Sequence, residues 1–233
     1  MQRKLKLQSR ISQKVGYKYL LQLPKDYKPT DRKRWPLLLF LHGAGERGSN
    51  FALVTKHSPQ KLAARKRDFP FFILSPQCPL EQIWDDDALL ALLDHVIARY
   101  KINTRRVYLT GLSMGGYGVW SLAAKHPERL AAIAPVCGGG SAANLLMANR
   151  AQSRALRSLA VRAFHGAKDD VVPLAEAKVL MAALKKAGCR EATLTVYPNT
   201  GHDSWTRTYT NPKLYEWFLK HERKQDKFSV DAA

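Results

Sequence analysis

Arg106-Val107-Tyr108-Leu109-Thr110-Gly111-Leu112-Ser113-Met114-Gly115 is the stretch on which the reading of this chain turns. The apolar run Arg106 to Thr110 reads as a strand, and Tyr117 to Lys125 behind it reads as a helix. A serine at so sharp a strand-to-helix turn, with glycines two residues to either side, is pushed clear of the backbone, where a carbonyl carbon can reach its hydroxyl. Small residues alone would also make a tight turn, so Ser113 counts as a nucleophile only if the flanking chain supplies the rest of the chemistry.

Outward from this turn, strands and helices alternate. Pro36 to His42 is a continuous apolar run of the kind buried on both faces of a sheet. Further strands are expected at Phe71 to Ser75, Leu130 to Cys137, Leu159 to His165 and Ala192 to Tyr197. Helices are expected at Ala88 to Tyr100, behind the acids Asp85 to Asp87, at Leu174 to Ala187, closed by Gly188, and at Pro212 to Glu222. Leu5 to Ile11 and Val15 to Leu23 alternate in polarity and read as half-exposed, antiparallel neighbours at a sheet edge. Gly138 to Ser158 reads as a polar insertion. The sum is one α/β domain over residues 1–233, with about eight strands in a mostly parallel sheet and helices on both faces. Such sheets bind ligands beyond the carboxyl ends of their strands.

Composition narrows the function classes. A chain of 233 residues, 45% hydrophobic and 24% charged, has the make-up of a globular protein with one sizeable core. No apolar run approaches the roughly 20 residues that span a bilayer, and no leader is visible, so a cytoplasmic protein without a membrane span is expected. Cys78, Cys137 and Cys189 lack C-x-x-C spacing, which argues against a zinc site and a disulfide framework. Cys137 reads as a small buried hydrophobe. The net charge of +19 draws on Lys61 to Arg67, Arg150 to Arg157 and Lys220 to Lys227, segments read as solvated surface rather than a nucleic-acid site because no recognition motif accompanies them.

A serine needs a base, and the base needs an acid to hold its tautomer. On a sheet of this kind they follow in the order serine, acid, histidine. His202, in Asn199-Thr200-Gly201-His202-Asp203-Ser204-Trp205, lies on the loop after the last strand, whereas His221 sits in the charged final helix. Asp169 and Asp170 directly follow a strand; Asp169 is favoured and Asp170 is the alternative, although either could instead cap the helix near Pro173. Two donors must also hold the oxyanion: the backbone N–H of Met114, and one from His42-Gly43-Ala44-Gly45-Glu46-Arg47-Gly48, assigned to Ala44. His42 precedes the serine and reads as a loop-positioning residue. Gly43-x-Gly45-x-x-Gly48 also matches a dinucleotide fingerprint, but the acid that fingerprint requires at the end of the second strand is missing, since Asp68 precedes its strand. No cofactor and no metal are expected.

Together with Pro76-Gln77-Cys78-Pro79 and Gly111 to Gly116, these segments resemble the α/β-hydrolases, and more narrowly the compact carboxylesterases of the dienelactone-hydrolase-like and prolyl-oligopeptidase-like group. The resemblance implies a triad of Ser113, Asp169 and His202 acting on a small-molecule or polymer-linked ester, without metal or cofactor. Serine peptidase or thioesterase activity is the alternative on the same fold, and a catalytically idle basic module that binds an anionic polymer is the rival from another class. The modest insertion at Gly138 to Ser158 leaves no room for a large cap domain. Trp84 and Trp205 are expected to wall the substrate pocket.

Overall fold

The computed structural model describes residues 6–8, 12, 14–30, 32–64 and 69–223. Among them, seven strands form one sheet: β1 (Lys18–Gln22), β2 (Trp35–Leu41), β3 (Phe72–Gln77), β4 (Ile102–Leu112), β5 (Ala132–Val136), β6 (Ala160–Gly166) and β7 (Glu191–Tyr197). Their order is β1-β3-β2-β4-β5-β6-β7, with β1 antiparallel to β3 and every other pair parallel. β1 pairs with β3, a neighbour its own alternation did not single out. Of the strand expected at Leu5 to Ile11, residues 6–8 are described and carry no strand; the rest lies outside the described residues.

β2 shows why an unbroken apolar run was needed. All seven of its residues are buried, and alternate side chains serve two different cores. Leu37, Leu39 and Leu41 face one, where α3 (Asp86–Arg99), α4 (Met114–Lys125) and α7 (Leu174–Lys186) pack. Leu38 and Phe40 face the other, closed by Tyr209 of α8 (Trp205–Tyr209) and by Leu214, Tyr215, Trp217 and Phe218 of α9 (Pro212–Lys220). A strand covered on both faces has no position at which a polar side chain meets water.

Five helices appear where none was expected, α8 after β7 among them. α1 (Phe51–Lys56) and α2 (Gln60–Ala63) follow the loop after β2. The polar insertion after β5 folds into α5 (Ala142–Leu146) and α6 (Arg150–Ser158), two short helices rather than a cap. Asn149 caps α6 by accepting from the Gln152 N–H, while the Gln152 side chain accepts from the Asn149 N–H. β3 lies on one side of β2 and β4 on the other, so the chain reverses direction across the sheet between β2 and β4. The loops leaving these two strands open the crevice in which open α/β sheets place their ligands. No described helix is long and apolar enough to cross a membrane.

Candidate active site

Ser113 stands at the end of β4 with φ 52° and ψ −119°, a left-handed conformation that costs a non-glycine residue on the order of 1–3 kcal/mol. Its surroundings hold it there. A Cβ on Gly115 would stand 2.1 Å from the Leu41 carbonyl oxygen, and one on Gly111 would stand 2.5 Å from the Gly115 oxygen. Neither glycine has a positive φ, so both are present for room, letting α4 start against the end of β2. The Ser113 N–H donates to the Val136 carbonyl (3.0 Å) and its own carbonyl accepts from Tyr117 (3.1 Å).

The loops after β6 and β7 bring the other two residues to it. Both oxygens of Asp169 lie within reach of His202 Nδ1, at 3.0 and 2.9 Å, and His202 Nε2 is 2.9 Å from Ser113 Oγ. An ionised carboxylate can only accept. Nδ1 therefore carries the ring proton, and Nε2 is left bare to accept from the serine hydroxyl. Asp169 is buried and accepts in addition from the Val171 (3.0 Å) and Val172 (2.9 Å) amides. Backbone bonds staple the two loops together: Ala167 N–H to the Tyr197 carbonyl, 2.9 Å, and Lys168 N–H to the Thr200 carbonyl, 3.0 Å. A Cβ on Gly166 would meet Gly201 O at 2.1 Å. Asp170 is exposed and takes no part. Nor does either aspartate cap α7, whose N-cap is Pro173. His221 is held elsewhere, its Nε2 3.2 Å from Glu191 Oε1.

The loop after β2 is built around His42, which is 1% exposed. The Cys78 amide donates to its Nε2 (3.0 Å), so Nδ1 bears the proton and donates to the Gly43 carbonyl (2.7 Å). Trp84 Nε1 donates to the His42 carbonyl at 3.1 Å, and Gln77 Nε2 donates to the Glu46 and Asn50 carbonyls. The Gly43 N–H is spent on Glu46 Oε2 (2.9 Å), whereas the amides of Ala44 and Met114, each first in its helical turn, have no hydrogen-bond partner among the described residues. Burial lowers the pKa of His42 from 6.5 to about 4. Below pH 6.5 the unfolded chain takes up a proton that the folded chain refuses, so stability is complete above 6.5 and falls as the pH drops toward 4. The loss at pH 4 should be on the order of 3 kcal/mol. Urea unfolding at pH 7, 5 and 4 measures it, and His42→Gln should flatten the slope by one proton.

A cavity of about 490 Å³ opens at Ser113, between Ile83 and Trp84 on one side and Tyr117, Trp120 and Asn144 on the other, a size suited to a small organic group. Trp84 stands in the wall of this cavity, although it is 7% exposed and also packs on His42. Trp205 does not belong to this cavity: as the first residue of α8 it packs edge-on against His202, centroids 5.3 Å apart, and against His57. Cys137 lies beneath the site, its Sγ within 4.8 Å of a ligand atom of Asp169 and of His202. Burial pushes its thiol up to about 12, which keeps it protonated and unreactive. All three cysteines are free.

The family model described as Phospholipase/Carboxylesterase matches residues 84–213, more than half of the chain and all of Ser113, Asp169 and His202. The chain belongs to this family. A second model, of esterases, matches residues 12–139. Among curated proteins, the bifunctional acetylxylan esterase/xylanase XynS20E of Neocallimastix patriciarum is 27% identical over 207 residues, covering 82% of this chain and 28% of the relative. Among solved structures, a thermostable esterase is 30% identical with a TM-score of 0.72, over 88% of this chain and 59% of the other. A ferulic acid esterase, 20% identical with a TM-score of 0.66 over 85% and 89%, shares the fold. The chain spans only about a quarter of XynS20E and under two thirds of the thermostable esterase.

Within this phospholipase/carboxylesterase member, one residue beside the acid escaped the sequence reading. His165, fully buried, directs Nε2 to the Val172 carbonyl at 2.8 Å and lies 3.3 Å from Asp169 Oδ2. Both partners only accept, so Nε2 carries the proton and pins the acid loop at two points. Its i,i+4 spacing to Asp169 across a strand end gave no signal, because that spacing implies contact only within a helix.

Proposed function

We propose that this chain is a serine hydrolase of carboxylic esters with small acyl or aryl groups, working through an acyl-enzyme. The hydrogen-bonded line from Ser113 Oγ through His202 to Asp169, 2.9 Å at each end, carries the reading. In the proposed cycle Ser113 attacks the ester carbonyl as His202 Nε2 takes its proton. Asp169 holds the tautomer and stabilises the imidazolium. The free amides of Ala44 and Met114 receive the oxyanion, each worth about 3 kcal/mol in comparable sites. His202 then returns the proton to the leaving alcohol, and water, activated by the same histidine, releases the acid and restores the serine.

The cavity between Trp84, Ile83, Tyr117 and Trp120 is where the ester is placed in this reading. With no cap over it among the described residues, access needs no lid movement, which favours bulky or polymer-linked esters. A fluorophosphonate probe should add its mass to Ser113 alone, and p-nitrophenyl acetate should be turned over with a burst of one equivalent of p-nitrophenol. An unlabelled Ser113, together with salt-sensitive retention of a polyanion, would show a basic binding module instead.

A further inference from the structure

We propose that Tyr117 and Glu176, meeting across Gly139, form the subsite for the alcohol half of the substrate, and that it takes a hydroxyl-rich alcohol such as a sugar. The inference rests on the ester hydrolase reading above and adds to it the class of leaving group.

Gly139 marks the place. A Cβ there would stand 2.8 Å from Glu176 Oε2 and 2.8 Å from Tyr117 Oη, so the two oxygens are at most 5.6 Å apart. Gly139 has no positive φ, so the glycine provides room and not a special backbone turn. Tyr117 belongs to the cavity that opens at Ser113, and its ring is 41% exposed. Neither its hydroxyl nor the Glu176 carboxylate has a hydrogen-bond or ion-pair partner among the described residues, although the chain carries 38 Lys and Arg.

Glu176 is half-buried and stands just beyond the residues that line the cavity. Glu176 is the third residue of α7, the position from which a glutamate commonly reaches back to the N–H of the N-cap residue. Here the N-cap is Pro173, which has no N–H. The usual structural role is closed, and the side chain lies instead beside Tyr117. Burial, followed by the charges of Glu176 and Asp169, raises the Tyr117 pKa, which keeps its hydroxyl a donor at neutral pH. A hydroxyl donor next to a carboxylate acceptor matches neighbouring hydroxyls, each of which both gives and takes a hydrogen bond. A carboxylate among aromatic rings could also hold an ammonium group, but a net charge of +19 repels cations from the protein. A neutral polyol carries no such penalty.

The test compares acetates that differ only in the alcohol: a mono-O-acetyl methyl glycoside, ethyl acetate and acetylcholine. Glu176→Ala and Tyr117→Phe should each lower the ratio of kcat/KM for the glycoside over that for ethyl acetate about tenfold, mainly through KM, as expected for one lost hydrogen bond. Gly139→Ala, which crowds both oxygens, should lower it as well. Ratios within twofold of the parent in all three variants would overturn the proposal. So would a preference for acetylcholine that Glu176→Ala abolishes, which would make the subsite cationic in its taste. Ser113→Ala separates the two readings. If it still hydrolyses ethyl acetate, the ester hydrolase reading falls; if it is inactive while the ratios stay put, only the subsite does.

Discussion

Ser113→Ala is expected to reduce kcat on a short p-nitrophenyl ester by about 10⁴- to 10⁶-fold, and Asp169→Asn by about 10⁴-fold, with the fold intact in both. The serine change removes the attacking atom. The aspartate change leaves the shape but alters the proton. An amide at 169 can present its NH₂ to His202 Nδ1, which forces the ring proton onto Nε2, where it can no longer accept from Ser113. The residual activity of each variant should match what the free amides of Ala44 and Met114 provide alone. Asp170→Asn, exposed and one residue away, should stay within about twofold of the parent, so initial rates of the three variants distinguish adjacent carboxylates that the sequence left as alternatives.

Gly115→Ala is expected to cost about 3 kcal/mol or more of stability and to lower Tm by about 10 °C. A methyl group there would stand 2.1 Å from Leu41 O, 2.6 Å from Leu41 C and 2.7 Å from His42 O. All three are backbone atoms at the end of a strand buried on both faces, so no side-chain rotation relieves the overlap, and α4 must move off the sheet. Because the same atoms bracket the Ser113 turn, activity should fall with stability. Gly45→Ala is the control: nothing lies within 4 Å of its Cβ position and its φ is not positive. Its thermal midpoint should be unchanged.

The parts of the molecule that the sequence revealed share a physical cause. β2 could be read because burial on both faces demands an unbroken apolar run, and the Ser113 turn because close approach of α4 to β2 demands glycine at 111 and 115. That Ser113, Asp169 and His202 stand together could be read from chain order and loop position. What escaped depends on contacts made across the fold. The pairing of β1 with β3 was not legible because alternation shows that a strand is half-exposed but not which strand it borders. α5 and α6 are short and held by neighbouring helices, and only α6 carries a side-chain cap, Asn149-x-x-Gln152, that a sequence can show. Trp84 and Trp205 look equivalent in sequence, yet one walls the cavity and the other braces His202, since their neighbours come from distant segments. His165 carries no periodic or motif signal at all.

The backbone staples between the acid and base loops have a bearing on how the protein reaches its working form. Asp169 and His202 hang from the ends of β6 and β7, whose pairing runs in register from Ala160 against Glu191 to Gly166 against Tyr197. β7 borders the sheet and is the last of its strands among the described residues. A slip of one residue there would carry the loop that bears His202 about 3.3 Å along the strand and turn the β7 side chains to the opposite face. The register of the outermost strand is thus as much a condition for bringing Ser113, Asp169 and His202 together as the closing of the core.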